Sequence, residues 1–175
     1  MDVLKALEEK AFWGHEFLTW LWFRIETAGG PIPVEGVGPV TLWIEDLLVL
    51  GSPDTRSKRN ILREGEVADS AEAAAALAVG KKVLDVRLGM AVEDREYAFG
   101  LRGDTLELHG LRLPPTEPDG GEGWHGTVAI RVRLVQEVLD AVDGLFREFV
   151  ALRISDRWPS VLASLSEWIA GKRGG

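Results

Sequence analysis

Four cations fall within eight residues of this chain: Arg56, Lys58, Arg59 and Arg63, with no acid between them. On an extended strand Arg59 and Arg63 share one face, and Arg56 and Lys58 the other. Such a row can grip phosphates, which accept Arg and Lys without regard to base sequence. It can equally keep a sheet edge from pairing with another molecule. Lys81 and Lys82 are further candidates for backbone contacts, and Arg87, Arg131 and Arg133 are other cations of unknown proximity. A second cluster is aromatic. Trp20, Trp22 and Phe23 can form a stacking platform for single-stranded nucleic acid. Alternatively, Phe17, Trp20 and Leu21 are core, and the remaining rings serve a contact surface such as a homodimer.

Other chemistry finds less support. Two carboxylate pairs, Glu45-Asp46 and Glu93-Asp94, sit where turns are expected. Metal-dependent phosphodiester cleavage needs carboxylates converging on two ions ~3.5–4 Å apart, and solvated turn residues are the simpler reading. The histidines His15, His109 and His125 lack metal-ligand spacing and read as surface, capping or loop residues. Gly80-Lys81-Lys82 lacks the hydroxyl of a phosphate loop, and Gly36-Val37-Gly38-Pro39 lacks the third glycine of a dinucleotide fingerprint. No catalytic set, metal or cofactor is expected. The absence of cysteine excludes disulfides and thiolate chemistry. A net charge of −8 repels polyphosphate on average, so nucleic-acid binding requires cations segregated on one side.

The elements that must position these residues follow from periodicity. A length of 175 residues suits one domain. Residues 3–27 read as helix, apolar nearly all round from Phe17 to Ile25 and thus buried on more than one side, with Gly14 a point where it can bend. Gly29, Gly30, Pro31 and Pro33 begin a loop. Val40–Ile44 and Leu47–Leu50 read as a hairpin about Glu45-Asp46, and Thr55–Arg63 as a third strand. Asp69 and Glu72 suggest a capping box for an Ala-rich helix that Gly80 closes. Val83–Val92 alternates, with Leu84, Val86, Leu88, Met90 and Val92 on the apolar face, and Arg95–Arg102 and Leu106–Leu113 complete a meander.

A long helix spans Thr127–Arg153. Val128, Val132, Val135, Leu139, Val142, Phe146 and Phe149 recur at steps of four and three, beside a second stripe of Leu134, Val138, Ala141 and Leu145. So wide a face packs on a sheet, or on a sheet and a helix. Asp156 caps a final helix with Pro159 in its first turn. The expected fold is α+β: two three-stranded meanders against the long C-terminal helix, with the Trp-rich helix at the N-terminus. The order admits a pseudo-repeat of residues 3–79 and 69–153 within one domain.

The segment Gly14-His15-Glu16-Phe17-Leu18-Thr19-Trp20-Leu21-Trp22-Phe23-Arg24 resembles a stretch in the C-terminal part of RdgC-like recombination-associated proteins. Gly80-Lys81-Lys82-Val83 and Phe149-Val150-Ala151-Leu152-Arg153-Ile154-Ser155, followed by Trp158, are similar to that region as well. The likeness spans roughly residues 12–170. It implies a non-catalytic protein that holds duplex DNA with little sequence preference, assembles as a ring-shaped dimer and modulates recombination.

On that basis Arg56, Lys58, Arg59, Arg63, Lys81 and Lys82 are the expected DNA-contacting residues, and Trp20, Trp22 and Phe23 the expected interface. A cytoplasmic, nucleoid-associated location without a signal peptide or membrane span follows. The alternatives are an interaction or assembly module that binds no DNA and, last, a metal-dependent nuclease.

Overall fold

The computed structural model describes residues 3–52, 59–115 and 123–172. Its elements run α1 (Val3–Thr27), β1 (Ile32–Val34), β2 (Gly38–Gly51), β3 (Asn60–Arg63), α2 (Ala71–Ala78), β4 (Lys82–Val92), β5 (Arg95–Arg102), β6 (Leu108–Arg112), α3 (Gly123–Arg153) and α4 (Trp158–Gly171). The fold is α+β, as expected, with the Trp-rich helix first and the long helix late. All strand pairs are antiparallel, and the two groups of three strands join through β2 and β4 into one sheet. The sheet order is β1-β2-β4-β5-β6, with β3 also on β2. Among the described residues, no helix is long and apolar enough to cross a membrane.

Alternation decides which face is covered. Leu42, Leu48 and Leu50 of β2, Val86, Leu88, Met90 and Val92 of β4, and Tyr97, Phe99 and Leu101 of β5 are all buried. Their registers place Leu42 beside Met90, Leu48 beside Val86, and Leu88 beside Phe99. This face receives α1, whose Phe17, Leu18, Trp20, Leu21 and Trp22 are each at most 2% exposed. Each such side chain contributes roughly 1.5–3 kcal/mol by leaving water. The opposite face carries Glu45, Asp85, Arg87, Glu96 and Arg102, the solvated side of an antiparallel sheet.

Helix α1 runs through Gly14 without a break. The glycine is required by proximity: a Cβ there would lie 1.7 Å from the Gly103 carbonyl oxygen, in the turn after β5. Thr19 ties the helix to the sheet. Its hydroxyl donates to the His15 carbonyl at 2.9 Å and accepts from the Val83 backbone N–H at 3.0 Å.

Several local expectations are corrected. Glu45-Asp46 is not a turn. β2 continues through it as one strand, because Glu-Asp lacks the glycine with which a tight two-residue hairpin turn is made. The excess chain is absorbed by a bulge: from the Ile44–Leu88 pair to the Leu48–Val86 pair, β2 advances four residues and β4 two. Apolar parity therefore survives on both sides. On β4 an irregularity opposite Val49 and Leu50 turns Val83 inward in place of Leu84.

Ile32–Val34, expected as loop, is a short edge strand. Its Pro33 faces Pro39, which the edge tolerates. Only Asn60–Arg63 of the third strand is paired, and residues 55–58 lie outside the described residues.

Ser70, not Asp69, caps α2. Its hydroxyl oxygen accepts from the Ala73 N–H at 3.1 Å, while Asp69 ends a preceding 3-10 turn. Glu72 accepts from Asn60 instead, at 2.7 Å. Gly80, at φ 84°, closes the helix as expected. Arg157 precedes α4 without a side-chain cap, so Asp156 does not cap it, although Pro159 does lie in the first turn.

Candidate interaction surface

Helix α3 carries the two stripes legible in its sequence, and the fold treats them differently. Leu134, Val138, Ala141, Leu145 and Phe149 are buried against α1 and the sheet. Of the other stripe, Val128 is 46% exposed, Val132 62% and Leu139 42%. Its C-terminal part turns inward: Val142 packs on the core, Phe146 lies edge-on to Phe17 at 5.2 Å, and Phe149 is fully buried. The expectation that the whole wide face would pack is thus corrected: its N-terminal half is open. Leu113, just after β6, lies beside Val128, Val132 and Val135 and extends the apolar surface into a shallow groove.

A polar clamp fixes which way α3 faces. Arg95 of β5 grips Glu137 with two bonds, Nε to Oε2 at 3.1 Å and Nη2 to Oε1 at 2.9 Å, and the Tyr97 hydroxyl donates to the same carboxylate. At about 100° per residue, Glu137 stands roughly 200° round the helix from Val135. Clamping Glu137 to the sheet therefore turns the Val132–Val135 side outward.

Burial disfavours the Glu137 carboxylate, but its bonds from Arg95 and Tyr97 outweigh that and hold it below the usual glutamate range. Burial, together with the adjacent carboxylate, pushes the Tyr97 phenol up to about 12.

A lowered acid in the folded state stabilises fully above its unfolded pKa, and that stabilisation fades as pH falls through the lowered value. A raised phenol stabilises fully below about pH 10 and loses its contribution as pH climbs towards 12. Glu137→Gln is expected to cost about 1–3 kcal/mol at neutral pH. The gap from the native chain should narrow below about pH 4. Urea unfolding at pH 7 and pH 3 checks this; an equal gap at both counts against the clamp.

Among the described residues of the expected DNA-contacting set, Arg59, Lys81 and Lys82 are neighbours about Gly51 and Asn60, with both lysines engaged by other side chains. Arg56 and Lys58 lie outside the described residues. Lys81 bonds through Nζ to Asn60, which in turn holds Glu72. Lys82 reaches Glu16 at 3.4 Å, and Glu16 also accepts from Arg153 at 2.9 Å. Arg59 and Arg63 are exposed and have no ion-pair partner among the described residues; Arg63 shares a shallow cleft with Asp46, Glu64 and Arg87.

The expected interface residues Trp20 and Trp22 are 1% exposed and spend their rings inside the chain, which leaves them no surface to offer a partner. Phe23 is half-buried, edge-on to Trp168 of α4 at 5.7 Å.

The remaining polar candidates also serve the fold. Glu45 and Asp46 surround Arg87 at 3.0 and 3.7 Å, and Glu93 and Asp94 approach Arg95 at 3.1 and 3.9 Å. His109 bonds Asp85 at 3.0 Å. His15, expected at the surface or as a cap, is 7% exposed, and burial lowers its pKa. The backbone of His125 belongs to the first turn of α3 rather than to a loop. Among the described residues, no three His, Asp or Glu side chains gather as a metal site.

Sequence reasoning had found both stripes of α3 but missed the open one as a surface. The deciding signal was Glu137, an acid set opposite the 4-3 row. The chain matches no protein-family model and no curated protein.

Proposed function

We propose that this chain is a non-catalytic interaction and assembly domain that docks a partner helix on the outer face of α3. One observation carries the reading: Val128, Val132 and Leu139 stand 42–62% exposed along one line of a helix whose opposite side is clamped to the sheet. Four-three spacing is the pattern by which one helix offers knobs to another. Solvent-exposed valine and leucine in a continuous row, next to Leu113, form the kind of apolar patch that marks a contact site. The carboxylates Glu45, Asp46, Glu93 and Asp94, which could have supported other chemistry, lie against Arg87 and Arg95.

The test is a photo-reactive side chain in place of Val132, activated in the cells that make the protein. A protein adduct is expected, and Leu139→Glu on the same chain should abolish it. A chain that forms no adduct would overturn the reading. Val132→Glu itself should leave stability within about 0.5 kcal/mol of native, since the position is exposed. Thermal unfolding measures that.

A second reading retains the resemblance to RdgC-like proteins, with sequence-independent DNA binding and a role in recombination. It is favoured by Arg59 and Arg63, exposed and without an ion-pair partner among the described residues, next to the Arg56–Lys58 segment. If they meet phosphates, duplex DNA shifts in a mobility assay at ~50 mM salt. Arg59→Ala with Arg63→Ala should then weaken binding alike for all sequences and reduce the salt slope by roughly 2. Absence of a shift at that salt removes this reading.

A further inference from the structure

We propose that the crossing of α1 over the turn after β5 is a proton-operated joint triggered by His15. When the imidazole takes up a proton the helix lifts from the turn, and when it gives the proton up the helix closes again. The device is independent of what docks on α3.

His15 stands where the two backbones come closest. Its ring packs on the turn itself: a Cβ at Gly103 would lie 2.5 Å from the His15 Cδ2. The residue is buried, and its Nδ1 is wholly enclosed with no hydrogen-bond partner. Among the described residues, no other buried side-chain nitrogen or oxygen is left in that state. A neutral ring tolerates this, because its single proton can sit on Nε2 and leave Nδ1 as a lone pair. A charged ring donates from both nitrogens, so Nδ1 would hold a buried N–H with no acceptor. Gly14, one residue earlier, gives the helix a place to flex. The first tie beyond the crossing is Thr19, whose hydroxyl accepts from the Val83 N–H at 3.0 Å, so that amide reports whether the helix has lifted.

The charges around the ring act in the same sense. Lys82 of β4 and Arg59, ahead of β3, face it as like charges, against one carboxylate, Asp104 in the turn. Glu16, the next residue on α1, is engaged by Lys82 and Arg153 at 3.4 and 2.9 Å. Burial first, and then the two cations, outweigh Asp104 and lower the imidazole's pKa. The closed joint thus refuses a proton that an open one accepts at about pH 6.5. Its contribution to closure is complete above about pH 6.5 and is lost as pH falls through the lowered value, the opening constant rising by at most about tenfold per pH unit. Glu137, held below the usual glutamate range, belongs to a more acid window.

The test is hydrogen exchange of the native chain, followed by NMR between about pH 7.5 and pH 5 and corrected for the intrinsic rate at each pH. The Val83 amide should lose protection below about pH 6.5, by at least about threefold and at most about thirtyfold at pH 5, the ceiling for one proton. Amides in the middle of β4 and β5 should keep theirs. In His15→Leu, which has nothing to titrate at the joint, Val83 protection should be independent of pH over that range. Asp104→Asn, at an exposed position, removes the one carboxylate that favours the charged ring and should deepen the loss at pH 5. In the same spectra the imidazole resonance missing from His15→Leu should titrate below about 6.5. If His15→Leu does not fold, Asp104→Asn and the native titration decide. A His15 that titrates at or above about 6.5, or a native Val83 amide equally protected at both ends of the range, overturns the joint. Protection lost across the whole sheet in step with Val83 overturns it as well, in favour of general acid unfolding.

Discussion

Gly14→Ala is expected to destabilise the protein by at least about 3 kcal/mol, although alanine is the better helix former. In an exposed helix the exchange would gain up to about 1 kcal/mol. Here the new Cβ would stand 1.7 Å from the Gly103 carbonyl oxygen and 2.8 Å from its carbon. A flexible side chain could yield, but this is backbone. The Gly103 N–H is itself held by the Leu84 carbonyl at 2.8 Å, so the turn cannot retreat without breaking that bond. Helix α1 must therefore lift away from the sheet and carry Phe17 and Leu18 with it. Gly171→Ala is the control, since nothing lies within 4 Å of a Cβ at that position; it should be neutral or mildly stabilising. Urea midpoints of the two variants compare them, and an undisturbed Gly14→Ala midpoint would show that α1 does not cross the turn this closely.

Phe149→Ala should cost about 3–5 kcal/mol. Its ring is fully buried and lies 5.6–6.2 Å from those of Trp13, Phe17, Trp20, Phe146 and Trp158. Those rings belong to α1, α3 and α4, so one side chain fastens three helices. Truncation leaves a void bounded by stiff indoles that cannot collapse into it, which places the cost towards the upper end of the range. Phe149→Leu keeps most of the volume and should lose no more than about 1.5 kcal/mol. The same denaturation experiment, read by near-ultraviolet circular dichroism, separates the two. Equal losses would mean that ring geometry, rather than filled volume, is what Phe149 supplies.

Periodicity made much of the fold legible. α1 and β5 end where the pattern placed them, and the two stripes of α3 were visible as separate rows. The misreadings have local causes. Glu45-Asp46 looked like a turn because two acids interrupt an apolar run, yet Arg87 on the neighbouring strand supplies a reason for them inside a strand. Leu84 fitted the alternation, but a bulge reversed the parity for one step, and no single-chain pattern carries that information.

For the candidate site, residue type misled more than spacing did. Trp20, Trp22 and Phe23 suggested a surface because tryptophan is common at interfaces. The glutamate that satisfies the Trp22 indole, Glu26, lies one helical turn away in the same helix, so burial needed no outside partner. Lys81 and Lys82 looked free because their partners Asn60 and Glu16 are remote in sequence. The open row on α3 passed as core because valine and leucine say nothing of which neighbour they meet.

The way α4 is fastened has an optical consequence. Lys172 sits over Trp22 at 4.9 Å and over Trp168 at 5.2 Å, and its ammonium and both indole N–H groups converge on Glu26. An ammonium and a carboxylate this close to two indoles must tune their emission. Any loosening of the last helix would thus announce itself as a change of fluorescence colour or intensity, without a label and before the rest of the molecule responds.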